Sequence, residues 1–387
     1  MALYLNALGI INPLGAGKEN VAKSLFAGSL HGLRLSDRFI DDKDIYVGEV
    51  ITDLPSIDPA LSLHDSRNNR LALAALNEIS ADIDKAIADY GRERIAVVVG
   101  TSTSGIGDNE AGVAEKVKTG SFPPEYHYQR QTPSDLSSFI QAYLDLQGPA
   151  FTVSTACTSG AKAVVSAARL IEAGLCDCAI VGGSDSLCGL TLNGFHALES
   201  LSDGKCQPFS KNRDGINIGE GAAFFLLSKT AGPVMLSGYG ETSDAYHISA
   251  PAPDGEGAYN AMKAAMGEHA VAYVNLHGTA TELNDAMEAK AVSNLLGHDV
   301  PCSSTKSLTG HMLGAAGANE LGFLWLSLVY GQLPPHVWDG VFDPALPKLN
   351  FVASGQSFDP HDDVVLSNSF AFGGNNICVA LKKGMDI

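Results

Sequence analysis

Short apolar runs alternate along the chain with alanine-rich stretches, the pattern of strands and helices taking turns in an α/β protein. Ile95–Gly100 (IAVVVG) and Cys178–Gly183 (CAIVGG) are continuous apolar runs that end in glycine. A strand covered by helices on both faces needs no polar positions, so both runs predict buried strands. Ala161–Ala173 (AKAVVSAARLIEA) predicts a helix made largely of small residues, suited to burial between two layers. No low-complexity tract or long linker interrupts the alternation.

A weak internal echo divides the chain near residue 231, into 1–230 and 231–387. Ile95–Gly105 resembles Val271–Thr281, Phe151–Ala163 resembles Pro301–Gly317, and Glu220–Lys229 resembles Asn376–Lys383, in the same order. Strand–turn–helix units recur in α/β proteins anyway, so chance remains an alternative. The echo matters because chemically useful residues fall at matching places, at the carboxyl ends of strands, where open α/β sheets put their sites.

The 387 residues are 45% hydrophobic and 18% charged, enough apolar material for two domains or one large α/β unit. A net charge of −18 repels nucleic acid and anionic lipid, so neither is expected as a partner. The first residues lack a basic start with a long apolar stretch, and no segment offers the roughly 18 apolar residues of a membrane span. The expectation is a cytoplasmic protein. Seven scattered cysteines, an odd number in mostly apolar surroundings, are expected to be reduced thiols.

Cys157 lies in Ser-Thr-Ala-Cys-Thr-Ser-Gly, after an apolar strand and at the start of the small-residue helix. Free N–H groups and the helix dipole favour an anion there, so the thiol pKa is expected below its usual value of about 8.5. A thioester-forming nucleophile needs that property. A buried structural cysteine is the commoner fate of an isolated Cys. His277, in Asn-Leu-His-Gly-Thr-Ala-Thr, and His311, in Leu-Thr-Gly-His-Met-Leu-Gly, both adjoin glycine, which permits a sharp turn that aims a side chain into a cleft. Each alone is more often an ordinary core or surface histidine. Together with Cys157 and the glycine-rich 368–376 segment, they point to one catalytic centre.

STACTSGA, PFSKNRDGINIGEGAA (Pro208–Ala223), NLHGTATELND (Asn275–Asp285), SSTKSLTGHMLGAAGANE (Ser303–Glu320) and SNSFAFGGNN (Ser367–Asn376) resemble, in order, the signature blocks of the elongating β-ketoacyl-[acyl-carrier-protein] synthases. The similarity runs from Leu5 to the C-terminus. It implies a thiolase-like fold of two pseudo-duplicated halves in an α-β-α-β-α layering, Cys157 in the N-terminal half and both histidines in the C-terminal half. It also implies the following roles. Cys157 accepts the acyl chain from phosphopantetheine, and the N–H groups of Cys157 and Phe372 form an oxyanion hole. His277 and His311 bind the malonyl thioester and assist loss of CO₂. Lys306 supports them with Glu320 as its buried partner, Thr279 and Thr281 bind the pantetheine, and Phe372 gates the acyl pocket. The Cys-His-His set differs from the Cys-His-Asn of initiating and chalcone-synthase-like enzymes. The implied partners are an acyl carrier protein and a second subunit, identical or homologous, with the 151–155 region as a contact edge; no cofactor beyond the carrier's phosphopantetheine is implied.

Leu14–Glu19 mimics part of a phosphate-binding loop but lacks its first glycine and its Mg²⁺-binding hydroxyl. Cys176-Asp177-Cys178 has no second pair at zinc spacing, so no metal is predicted. Gly-x-Ser-x-Gly is absent, which weakens a serine-hydrolase reading. Ala371 stands where relatives commonly have Gly, Asn375 where they have Thr, Gly120–Gly148 is shorter, and acidic Glu199 occupies a region where relatives often place a base. These departures keep open a specialised aryl-polyene or polyketide ketosynthase paired with a silent chain-length partner. A silent chain-length subunit, disfavoured by Cys157, both histidines and Lys306, and a coenzyme A thiolase, disfavoured by the two histidines with the Thr-x-Thr element, are further rivals. Arg67, Arg70 and Arg130 are the candidate basic cluster for an acidic carrier.

Overall fold

The computed structural model describes residues 2–360 and 363–384. Ile95–Gly100 is a fully buried strand, as its apolar run requires, and the second run forms a longer strand, Cys178–Asp185. The small-residue helix spans Ser159–Glu172, starting two residues earlier than the apolar pattern because Thr158 and Ser159 already sit at its first turn.

One sheet of 12 strands runs through the molecule. From one end its N-terminal half reads Ala150–Val153, Ile95–Gly100, Cys178–Asp185, Gly221–Ser228 and Leu3–Asn12. Leu3–Asn12 then pairs antiparallel with Val234–Ser243, and the C-terminal half continues through Asn375–Lys383, Val364–Ala371, Val271–Asn275 and Pro301–Ser303. Read outward from that junction, the two halves repeat the same succession. The three echoed segment pairs of the sequence occupy equivalent places in it.

Alternation along the strands sorts the core into layers. Val97 and Val99 face Leu71, Leu76 and Phe139 of the outer helices Arg67–Glu78 and Ser134–Tyr143. Ala96 and Val98 face the opposite way, into a central core with Ala163 and Ala167 of Ser159–Glu172 and Leu321 and Leu324 of Ala316–Tyr330. On the other side of those two helices, Val365 and Val379 close the central core. Leu366 and Cys378 point outward to Ala261 and Met287 of the helices Glu256–Met266 and Glu282–Leu296. The result is the α-β-α-β-α arrangement.

The two central helices meet almost backbone to backbone at their starts. A Cβ at Gly160 would lie 2.9 Å from the Gly314 carbonyl oxygen and 2.9 Å from the Ala318 nitrogen, so only glycine fits. This contact brings the Cys157 turn against the His311 turn. Ala150–Val153 is left at the edge of the sheet, with Phe151 38% exposed. All seven cysteines are buried and free. No helix among the described residues is long and apolar enough to cross a membrane.

Candidate active site

Cys157 is held by a strained turn. Ala156 has φ 54°, a left-handed conformation unusual for a residue with a Cβ. The Ser159 hydroxyl keeps it there, accepting from the Thr155 N–H at 2.9 Å and donating to the Ala156 carbonyl at 2.6 Å. The turn aims Sγ at His311, whose Nε2 lies 3.0 Å away. Position at a helix start suggested a lowered thiol pKa, and the structure corrects this: burial pushes Cys157 up to about 12, more than the nearby positive charge of Lys306 draws it down. The resting nucleophile is a thiol, and its proton needs an acceptor.

His277 and His311 stand nearly perpendicular, with ring centroids 5.3 Å apart. Burial first, and then the charge of Lys306, hold both well below the ordinary histidine pKa, so both rings are neutral at neutral pH. Lys306 is buried and ion-paired with Glu320, and its Nζ also donates to the His277 carbonyl. The same Nζ lies 3.4 Å from His277 Nδ1. An ammonium has only protons to offer, so Nδ1 accepts and Nε2 of His277 carries the hydrogen. That places an N–H donor in the cleft.

Three buried carboxylates that sequence reasoning passed over hold these turns. Glu288 accepts from the main-chain N–H of His277 (2.8 Å) and Gly278 (2.7 Å) and from Asn368 (3.1 Å). Asp185 accepts from Ala315 N–H (2.8 Å), just beyond His311, and from Ser102 and Thr103 N–H (both 2.7 Å). Asp285 accepts from Ala280 (3.2 Å) and Phe209 (2.7 Å) N–H. Burial raises Glu288 to about 7 and Asp285 to about 6. A detectable signal existed: Asp185 follows the apolar run Cys178–Gly183 after a single serine, and Asp285 and Glu288 share one face of the helix after the His277 turn.

A cleft of about 340 Å³ opens above the three groups, lined among others by Thr279, Thr281 and Phe372. The two threonine hydroxyls lie 3.0 Å apart. Phe372 is 41% exposed at the mouth, its ring 5.7 Å from that of Phe195. Arg213, also in the lining, is neutralised by Asp343 at 2.6 Å. The arginines expected to dock a carrier are committed elsewhere. Arg67 grips buried Glu220 (Nε–Oε2 2.8 Å), Arg70 makes two bonds to Asp65 (2.6 and 2.7 Å), and Arg130 donates to the carbonyls of Glu125 and Ser62 (3.1 and 3.0 Å). Carboxylates thus balance the charges of Arg67 and Arg70, whereas carbonyl partners leave that of Arg130 in place.

The ligand atoms of Cys157, His277 and His311 lie within 4.8 Å of one another, a spread that a metal ion could also span. The Lys306 cation against His277 opposes a dication there, and the 3.0 Å contact of His311 with Sγ is that of a hydrogen bond. The arrangement suits proton transfer from a thiol and donation to an oxygen anion.

A layered fold of this kind, with a thiol and two imidazoles converging beside the start of a central helix, defines a thiolase-like acyltransferase. This chain belongs to the β-ketoacyl synthase family: residues 7–231 match the family's N-terminal domain and residues 234–338 its C-terminal domain. It is 31% identical to 3-oxoacyl-[acyl-carrier-protein] synthase 2 of Staphylococcus aureus (strain N315), over 98% of each chain. A chain of the solved complex of a ketosynthase (ApeO) with its chain length factor (ApeC) from Xenorhabdus doucetiae is 45% identical, with a TM-score of 0.94 over 99% of this chain and 98% of that one. The ishigamide ketosynthase/chain length factor is 25% identical, with a TM-score of 0.88 and 99% of each chain covered. The chain is therefore a condensing ketosynthase of fatty-acid or polyketide elongation.

Proposed function

We propose that this chain joins a Cys157-bound acyl group to a malonyl unit delivered on the phosphopantetheine of an acyl carrier protein, with loss of CO₂. The nucleophile belongs to the 1–230 half and both histidines to the 231–387 half. The observation that carries the reading is the 3.0 Å contact between Cys157 Sγ and His311 Nε2 on the floor of the cleft.

In the first half-reaction Sγ attacks the incoming thioester carbonyl while His311 takes the thiol proton. The tetrahedral oxyanion rests on the N–H groups of Cys157 and Phe372, the carbon–sulfur bond to pantetheine breaks, and the departing sulfur receives the proton. In the second, Nε2–H of His277 donates to the oxygen of the malonyl thioester, and His311, once its own proton has moved from Nδ1 to Nε2 through solvent, donates beside it. The bond to the carboxylate breaks, CO₂ leaves, and its electron pair becomes the enolate. The enolate carbon attacks the acyl-enzyme, Cys157 leaves as thiolate, and a proton from solvent restores the thiol. Lys306, fixed by Glu320, holds the His277 tautomer. Thr279 and Thr281 bind the pantetheine arm, and Phe372 gates access to Cys157.

The acyl-loading step is tested by intact mass: the parent should gain one acyl group from a carrier-bound donor and Cys157→Ala none, while Cys176→Ala should load normally. Equal loading of Cys157→Ala would remove the assignment.

A narrower reading has its own support. The 45% identity to a chain of a ketosynthase–chain length factor complex exceeds the 31% to the 3-oxoacyl-[acyl-carrier-protein] synthase 2. The unpaired edge Ala150–Val153 with half-exposed Phe151 suits a two-fold contact. On this reading the enzyme works in the cytosol beside a homologous, catalytically silent subunit in a polyene or polyketide route. Solution mass and activity of the chain alone, against the chain expressed with such a homologue, decide it; an active homodimer that elongates long saturated chains as readily as others returns it to general fatty-acid synthesis.

A further inference from the structure

The turn that bears Phe372 joins Val364–Ala371 to Asn375–Lys383 through Gly373 (φ 83°) and Gly374 (φ 73°). Its exposed ring has little packing to hold it, so the polar ties at its base decide its position. Two are main-chain bonds to a neighbouring segment: Gly373 N–H donates to the Ile248 carbonyl and Asp244 N–H to the Gly374 carbonyl, both at 2.8 Å. Ile248 is itself 79% exposed, and Asp244 also accepts from the Asn376 side chain at 2.6 Å, so these ties join the turn to the segment that follows Val234–Ser243.

A further tie leads elsewhere. Lys162, in the central helix that starts at Ser159, donates from Nζ to Asn375 Oδ1 at 3.1 Å. Its side chain is 15% exposed and its charge is balanced by Glu241, 3.5 Å away, which Arg169 of the same helix also engages. A cation so neutralised can offer a proton to a neutral amide without being stranded. Lys162 thereby links the turn to the element that positions the nucleophile, a helix buried in the central core.

We propose that Lys162 and Asn375 form a latch that fixes the Phe372 turn to the nucleophile's helix and so sets which acyl chains reach Cys157. The idea rests on Phe372 acting as a gate. Asn375 places an oxygen at the far end of two carbons beyond its backbone, and a shorter or apolar side chain there withdraws it from Lys162. The turn then loses its tie to the nucleophile's helix and keeps those to Asp244 and Ile248, and the range of chains admitted widens.

Hydrogen-exchange mass spectrometry across 368–376, combined with acylation rates for donors from short to long, separates latch from gate. Asn375→Ala and Lys162→Met should each speed exchange of the turn by roughly 10-fold, the loss of a bond to a charged donor, and narrow the spread of rates among donors. Asn375→Asp, which keeps an acceptor facing Lys162, should exchange like the parent. Should Lys162→Met not fold, the two Asn375 variants decide alone. Unchanged exchange in Asn375→Ala overturns the latch whatever the gate does. Faster exchange with an unaltered donor profile, while Phe372→Ala does alter it, leaves the gate standing and removes the latch from specificity. An unaltered profile in Phe372→Ala removes the gate, and the specificity role of the latch with it.

Discussion

The Cys157 turn and the His311 turn occupy equivalent places in the two halves, each between a strand and a central helix, yet they are held by different physics. The Cys157 turn is kept in a left-handed conformation by neutral hydroxyls, chiefly Ser159. The His311 turn, with its neighbour at His277, rests on ionised or ionisable groups removed from water: Lys306, Glu320, Glu288 and Asp185. The difference follows from what each must do. A nucleophile that loads as a thiol needs aim, and stays neutral at rest. Groups that receive the negative charge of an enolate need fixed dipoles around them before the charge arrives.

The largest effect should therefore come from breaking the charged side. Lys306→Met leaves Glu320 buried without its cation, which should cost about 3–5 kcal/mol of stability. Chemical denaturation measures it, and Lys306→Met with Glu320→Gln should recover part of the loss. A loss below about 1 kcal/mol would mean that Glu320 takes up a proton with little penalty.

The same side should impose a pH dependence that the hydroxyl-held turn lacks. Burial raises Glu288 from its ordinary 4.5 to about 7, so the folded chain keeps this proton to higher pH than the unfolded chain. Stability from this group is greatest below pH 4.5 and declines as pH rises through about 7, by about 3 kcal/mol in all. The stability–pH slope over that window should be shallower in Glu288→Gln than in the parent. Equal slopes would show that Glu288 is ionised at its ordinary pKa.

Activity should divide along the same line. His277→Ala and His311→Ala should each lower condensation by about 10²-fold or more, the worth of one contact to a developing anion. Single-turnover assays of malonyl decarboxylation and of acyl loading separate the roles: His277→Ala should spare loading, whereas His311→Ala should slow both. Full decarboxylation in the double variant would refute the assignment.

Local features made the reactive groups legible. Cys157 and His277 each follow an apolar strand and His311 follows a glycine turn, and the structure brings them together with Lys306 and Glu320. Non-local features hid the rest. The thiol pKa was misjudged because a helix start is visible in sequence while burial is a property of the assembled layers. Arg67 looked like a free cation because its partner Glu220 lies in a distant part of the chain, just before the strand Gly221–Ser228. Glu288 and Asp185 were passed over because only the fold turns them onto main-chain N–H groups, Glu288 at His277 and Asp185 just beyond His311.

The smallest effect distinguishes the two helix starts themselves. A methyl at Gly160 would meet main-chain atoms of Gly314 and Ala318 at 2.9 Å, and backbone in a packed centre cannot step aside. A methyl at Gly317 would meet the Ala161 Cβ at 3.0 Å, the Ala161 nitrogen at 3.1 Å and the Ser369 Oγ at 3.1 Å, longer contacts that a few tenths of an ångström relieve. Gly160→Ala should thus cost about 1–3 kcal/mol by overpacking. In Gly317→Ala the strain is set against the gain of about 1 kcal/mol that alanine brings to a helix interior, leaving little net change. Because Gly160 lies three residues beyond Cys157, its substitution should also slow acyl loading, by moving Sγ away from His311 Nε2. Denaturant midpoints and loading rates of the two variants test this asymmetry. Equal losses would mean that the two helices yield to each other alike, and that the aim of Cys157 does not depend on the closeness of their contact.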